Sequence, residues 1–440
     1  MSTLIEGTFI HTKDGVLEIK ENHFMIIASD GKISYFSKEK PPSDLLSNIS
    51  STFKLSKTEL ILPGFIDCHI HAAQYVNAGC CLDCELLEWL KKYTFPSESK
   101  FTSLEHAKDV YTKVVSRTLS FGTTTACYLA TIHNEASLLL AKTCSELGQR
   151  AFIGKVSRDR NSPDYYIEKT EDAINNAKKF IEDMKKIAGS DLVKPVVTPI
   201  FLPSCTHELM ESLGKMAKEE ENGILIQTHL NENENEILWV KELEPESKSY
   251  THAFDNVHLL TKRTILAHCV HMTEEEIDLI KERESSIAHC PDSNFCLISG
   301  CCDVRHLLDK KIKVGLGTDV SGGPSPSIFY TMRNAFSCSR ALYFEKKKKD
   351  KNTNYKPLNV NDVLYLATEG GAKALGIDDK VGNFEIGKEF DGLFINLTKG
   401  SIDCFGHETI HDLLEKFVYL GDDRNVEKVF VKGKIVKDLN

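Results

Sequence analysis

The 440-residue sequence predicts an α/β protein, a TIM-type (β/α)8 barrel with a small β domain formed by both chain termini. Three observations predict it. Eight short β-branched runs ending in polar residues alternate with longer helical patterns, both ends of the chain read as strands and turns, and the length exceeds what one small core organises. The composition, 41% hydrophobic, 27% charged and 8% aromatic, is that of an ordinary globular chain and excludes disordered or fibrous classes. With 54 Lys and Arg against 64 Asp and Glu, the net charge of -10 offers no broad basic surface for phosphate backbones or anionic lipid. The expected partner is therefore a small molecule, with no nucleic acid and no membrane.

The first expected unit is residues 1–62, the N-terminal part of the small β domain. Leu4 to Ile10, His23 to Ala28, Ile33 to Phe36 and Phe53 to Leu55 read as short strands, and Asp14-Gly15 and Asp30-Gly31 read as their turns. Residues 63–377 form the expected catalytic barrel. Its strand runs are Leu60 to His71, Gly122 to Ala130, Arg150 to Val156, Val193 to Phe201, Gly223 to Glu232, Thr264 to Val270, Ser285 to Pro291 and Lys313 to Val320. Helical patterns separate them, as parallel crossovers require. In Glu105 to Ser120, Ala107, Val110, Tyr111, Val114 and Val115 share one face, and Thr273 with Glu276 makes a capping box. Residues 378–440 complete the β domain, with Gly382 to Asn396 and Lys428 to Lys437 as strand texture and Gly387, Gly392 and Gly433 as turn residues. The run Lys346 to Lys351 reads as a solvated loop without function.

Met1 to Asp14 has no basic stretch followed by an apolar run, and no apolar stretch approaches the roughly 18 residues of a membrane span, so the expected location is the cytoplasm. The fourteen cysteines are then expected as reduced thiols. Cys81 and Cys84 form a CxxC beside Cys80, but no second CxxC completes a zinc ribbon.

The chemistry begins in Pro63-Gly64-Phe65-Ile66-Asp67-Cys68-His69-Ile70-His71. Residues two apart on a strand face the same way, so His69 and His71 point together into the barrel at the end where active sites form. His229 ends the fifth strand, His268 the sixth and Asp319 the eighth, all on one rim. Neutral imidazoles plus a carboxylate suit zinc or another first-row ion, and a coordination position left for water makes such a site catalytic. A metal would bring the pKa of bound water down to about 7. Glu232, three residues past His229, is the expected proton shuttle; Asp319 can accept the water's proton and His268 can orient the nucleophile. His271, His289 and His133 read as ordinary residues, although His289 lies near the same rim.

The segments PGFIDCHIHAAQY (Pro63 to Tyr75), LEWLKKYTFP (Leu87 to Pro96), GTTTACYLATIH (Gly122 to His133), GQRAFIGKV (Gly148 to Val156), SIAHCPDSN (Ser286 to Asn294), GLGTDVSGG (Gly315 to Gly323) and YLGDDRN (Tyr419 to Asn425) together resemble the metal-dependent amidohydrolase superfamily, in its guanine-deaminating branch. The likeness covers nearly the whole chain. It implies hydrolysis of guanine to xanthine and ammonia with one zinc per subunit, held by His69, His71, His229 and Asp319. His268 would stand near the metal water, Glu232 would pass a proton to the purine, and Gln74 would recognise the ring. The substrate is expected among His71, Gln74, Ile200, Phe201, His229, Glu232 and Asp319, in a homodimer.

One residue departs from the family pattern. Where the fourth strand of that pattern reads roughly VTPRF, with an arginine on the purine carbonyl, this chain has Val197-Thr198-Pro199-Ile200-Phe201. Losing a charge-assisted hydrogen bond there forfeits about 1.5–3 kcal/mol. Two alternatives follow from Ile200: deamination of another aminopurine or pteridine ring, or a barrel kept as a non-catalytic scaffold. The family's SHISE and PNSN also appear as THLNE (Thr228 to Glu232) and PDSN (Pro291 to Asn294). A two-metal cyclic-amide hydrolase would need a lysine at the end of the fourth strand, whereas Lys194 starts it. The other zinc deaminase fold is not matched either, because His133-Asn134-Glu135 has no PCxxC after it.

Overall fold

The computed structural model describes residues 2–187, 191–219 and 223–439, and in these the chain forms two eight-stranded sheets. At the N-terminus, β1 (Ser2–Lys13) and β2 (Val16–Ile27) are joined by Asp14-Gly15. Both turn residues have positive φ, 51° and 77°, the conformation that matches a two-residue turn to the twist of its strands. Then come β3 (Ile33–Ser37), β4 (Ile49–Lys54) and β5 (Glu59–Pro63).

The second sheet consists of β6 (Phe65–His71), β7 (Thr123–Leu129), β8 (Arg150–Ser157), β9 (Val193–Pro199), β10 (Leu225–Leu230), β11 (Thr264–His268), β12 (Ser286–His289) and β13 (Lys313–Leu316). Every strand is parallel to the next. Past β13 the ring is closed by hydrogen bonds from Asp319 N–H to the His69 carbonyl at 2.9 Å and from His71 N–H to the Val320 carbonyl at 3.1 Å. Helices cover the outside. That of Leu104–Ser120 begins at Ser103, whose hydroxyl accepts from the His106 N–H, and it buries Ala107, Val110, Tyr111, Val114 and Val115 against the strands. The capping box of Thr273 and Glu276 starts the helix Glu274–Glu282.

The chain then returns to the first sheet through β14 (Gly392–Asn396), β15 (Val426–Val431) and β16 (Lys434–Asp438). The central junction is β5, parallel to β1 on one side and antiparallel to β14 on the other, so the two ends of the chain make one sheet. Ile5, Phe9, Met25, Phe384, Phe390, Phe394 and Phe430 form its own buried cluster. Arg150 of β8 ties this sheet to the barrel: its Nε and one terminal nitrogen each lie 3.1 Å from the two oxygens of Asp391, and that nitrogen also reaches Glu389 at 2.7 Å.

Three expectations about elements need correction. The run Leu60 to His71 is two strands in two sheets, not one, because the chain bends at Gly64. The Gly64 N–H donates to the Asp391 carbonyl while the next N–H, of Phe65, donates to Gly122 in the barrel. A Cβ at Gly64 would lie 2.1 Å from the Thr124 hydroxyl oxygen, so the crossing tolerates no side chain. In Gly382 to Asn396 only Gly392–Asn396 is strand, since Gly382 and Gly387 adopt φ of 101° and 94° and turn the chain. Finally, Lys346 to Lys349 are not loop but the last turn of the 22-residue helix Ile328–Lys349. Lysine is a good helix former, and cations are favourable at a helix C-terminus. Lys346 also reaches Asp303 at 2.9 Å.

All fourteen cysteines are free thiols. Among the described residues, no helix is long and apolar enough to cross a membrane.

Candidate active site and metal centre

Strand alternation puts the His69 and His71 rings on the same side of β6, with centroids 5.0 Å apart. His229 comes from β10 and His268 from the last position of β11, next to Leu230 in the register. Asp319 lies three residues past β13. His268 and Asp319 have φ of 72° and 47°, left-handed values that cost a non-glycine residue roughly 1–2 kcal/mol and that cluster at functional sites. Here they turn both side chains inward over the barrel mouth.

The five side chains converge. One ligand atom each from His69, His229, His268 and Asp319 lies within 4.8 Å of the others. His71 joins them, its Nε2 being 3.2 Å from His229 Nε2 and 3.3 Å from Asp319 Oδ1. His69 Nε2 is 3.2 Å from the same oxygen. Two rings are fixed from behind: His229 Nδ1 lies 2.6 Å from the Ile200 carbonyl, which can only accept, and His268 Nδ1 lies 2.9 Å from Asn294 Oδ1. Each therefore carries its proton on Nδ1 and leaves Nε2 as a lone-pair donor toward the centre. Asp67 supports β6 and the β13 end together, accepting from the His69 N–H, the Thr318 N–H and, at 2.6 Å, the Thr318 hydroxyl.

The electrostatics suit a divalent cation. Burial holds the imidazoles neutral: His69 is lowered to about 4, His229 well below its ordinary value, and His268 in the same direction. At Asp319 burial alone would raise the carboxyl, but the close imidazole nitrogens of His69 and His71, and then His268, overcome it and hold the group well below the usual carboxylate range. Neutral nitrogens around an ionised carboxylate form a fitting donor set for a first-row metal. The buried Nε2 atoms of His69 and His268 have no hydrogen-bond donor or acceptor of good geometry in the protein, as metal ligands would not.

Glu232 is 3% exposed and its Oε2 lies 3.4 Å from His268 Nε2. Burial, then the charges of Asp319 and Glu236, push its carboxyl well above the ordinary range, a shift that favours the protonated, proton-donating form. Glu236 holds it from beneath, accepting the Glu232 backbone N–H at 3.0 Å.

Above this centre is a pocket whose walls include His71, Gln74, Ile200, Phe201, His229, Glu232 and Asp319, all of the residues expected around the ring. Gln74 is already engaged on both sides, donating to Glu98 at 2.9 Å and accepting from the Ser321 N–H at 3.1 Å. Phe201 packs edge-on against Trp239, with centroids 6.3 Å apart. Sequence reasoning missed the other walls: the apolar Leu86, Trp89, Leu90 and Leu297, and the polar Thr94, Glu98 and Arg158. Trp89, Leu90 and Thr94 lie in the segment LEWLKKYTFP, which gave a likeness but no role. Arg158 had a signal of its own, an arginine at the C-terminal end of a barrel strand.

The remaining histidines lie apart from the pocket lining. His271 Nε2 is 2.7 Å from the Ser299 carbonyl, and His133 packs near Tyr166. His289 is fully buried on β12, where burial lowers it to about 3. Lys194 is exposed at the start of β9, far along the strand from the rim.

A parallel barrel with four imidazoles and a carboxylate on its C-terminal rim defines a metal-dependent hydrolase of the amidohydrolase type. The chain belongs to the amidohydrolase family, whose model matches residues 60–436. Several relatives that match it over nearly their full length are guanine deaminases. The one from Dictyostelium discoideum is 47% identical over 99% of this chain and 98% of its own length, and the one from Homo sapiens is 43% identical over 99% and 97%. Among solved structures, guanine deaminase from C. acetobutylicum with guanine bound in its active site superposes with a TM-score of 0.91 at 36% identity, covering 99% of this chain and 100% of that one.

Proposed function

We propose that this protein deaminates guanine hydrolytically to xanthine and ammonia, using one zinc ion per subunit. The observation that carries the reading is a buried Glu232, its carboxyl pushed well above the ordinary range, beside a cluster of imidazoles and one carboxylate, all opening into a single mostly apolar pocket. Relatives of the same length named for this reaction support the choice of ring. His69, His71, His229 and Asp319 would hold the zinc, with His268 beside the attacking water. When bound, the metal supplies Lewis acidity, making hydroxide available at neutral pH.

The protein's own groups then move the protons. Asp319 accepts one proton from water as the oxygen attacks the amine-bearing ring carbon, and His268 Nε2, 3.4 Å from Glu232 and 3.7 Å from Asp319, orients that oxygen. Glu232 gives its proton to the adjacent ring nitrogen, which allows the carbon to become tetrahedral. The proton on Asp319 passes to the amino group, the carbon–nitrogen bond breaks, and ammonia leaves. The new hydroxyl returns its proton to Glu232 as the carbonyl forms, so one water and one guanine give one xanthine and one ammonia. The apolar walls of Leu86, Trp89, Leu90 and Leu297 limit bulk water around these transfers.

Residues 63–377 carry the catalysis, and residues 1–62 and 378–440 form the small β domain. The protein works in the cytoplasm as a homodimer; a monomer mass in light scattering would contradict the assembly. The test of the metal role is to strip the protein with a chelator and add zinc back while following ammonia release from guanine. Activity should vanish and return with close to one zinc per chain, and full activity in metal-free protein would rule the reading out.

A further inference from the structure

Arg158 is 2% exposed, yet its Nε and one terminal nitrogen are buried with no hydrogen-bond acceptor in the protein. Its guanidinium lies against two neighbouring aromatic rings, 4.9 Å from the Phe95 centroid and 4.8 Å from that of Tyr166. Those ring contacts steady the cation but supply no lone-pair acceptor for its two buried N–H groups. A buried guanidinium without acceptors is costly, so an acceptor is expected from whatever enters the pocket that Arg158 lines.

The sheet register says where that acceptor lies. In the parallel pair β8 and β9, Ser157 stands opposite Pro199, and the Ile200 N–H donates to the Ser157 carbonyl. Arg158 and Ile200 are therefore the next neighbours across the pair, and both line the pocket. An arginine launched from position 158 reaches the same wall as one launched from position 200. With Arg158 in place, Ile200 can stay aliphatic. Gln74, another buried polar side chain of the pocket, is already bonded to Glu98 and to the Ser321 N–H.

We propose that Arg158 is the specificity-determining residue of this enzyme, donating from its guanidinium edge to the carbonyl oxygen of the purine and replacing from the third barrel strand the arginine expected on the fourth. The assignment rests on the functional reading above and names the group that selects its substrate. A planar fork with several N–H donors suits an exocyclic carbonyl oxygen and gains nothing from a ring that lacks one.

The test compares guanine with 2-aminopurine, which keeps the amine but has no carbonyl, in the zinc-loaded wild type, in Arg158→Met and in the double variant Arg158→Met with Ile200→Arg. Arg158→Met should lower kcat/KM for guanine roughly 10- to 100-fold while leaving that for 2-aminopurine within about threefold, at unchanged zinc content. The double variant should recover most of the guanine turnover. Should Arg158→Met fail to fold, Arg158→Lys keeps the charge and stem but loses the fork, and is read by the same ratio. Equal losses on both substrates, or none on either, would overturn the role of Arg158 alone. A wild type that releases no ammonia from guanine would instead overturn the functional reading on which this one stands.

Discussion

At the scale of single residues, the account turns on which groups carry protons and which cannot. Glu232 is biased toward its protonated form because burial and two neighbouring carboxylates make its ionised form costly. Glu232→Gln keeps the shape and a donor but cannot cycle a proton, so kcat is expected to fall roughly 10²- to 10⁴-fold. KM and zinc content should change little. Steady-state kinetics with metal analysis checks this, and a variant retaining more than a tenth of wild-type kcat would remove Glu232 from the proton path. The histidines of the centre were legible in the sequence because strand alternation and strand ends place side chains by simple rules. Arg158 was not, because its meaning depends on being beside Ile200, and that adjacency lies in the register of two neighbouring strands, which a sequence does not print.

At the scale of elements, the strand β1 carries a buried histidine that reports on the terminal sheet. His11 is 1% exposed, and its Nδ1 accepts the Phe384 N–H at 3.3 Å while Nε2 lies 3.3 Å from Glu18. Burial lowers it to about 4, with Glu18 and Glu385 opposing and Lys20 assisting. The unfolded chain, with an ordinary pKa near 6.5, takes up the proton first as pH falls. The stability that neutral His11 carries is thus complete above pH 6.5 and is lost between pH 6.5 and 4, by at most about 3 kcal/mol. His11→Gln has no proton to gain, so the unfolding free energies of the two proteins, measured in denaturant at pH 7.5 and 4.5, should converge toward the acid end. Parallel pH dependence would contradict the assignment. The break at Gly64 is the element that sequence reading could not find: Leu60 to His71 is nearly continuous apolar strand pattern, and only the contact with Thr124 explains why it divides. The lysine-rich helix end was misread for the opposite reason, since a charge run looks like loop although lysine extends helices well.

At the scale of the whole molecule, the two sheets divide the work. The barrel brings distant positions, from His69 to Asp319, to one rim, and the terminal sheet braces the barrel through Arg150 and its carboxylates. Alternation of strand and helix made the barrel readable, and turn residues made the β domain readable. Their junction at β5 was not, because it joins strands from opposite ends of the chain. Both sheets serve the single pocket over the metal centre, and the central claim is that guanine is the ring it transforms. The most direct measurement is simultaneous quantification of xanthine and ammonia from guanine by zinc-loaded protein, beside a panel of other aminopurines and aminopteridines. The account predicts one xanthine and one ammonia per guanine consumed, with kcat/KM for guanine the highest of the panel. Turnover of another ring with none of guanine would contradict it.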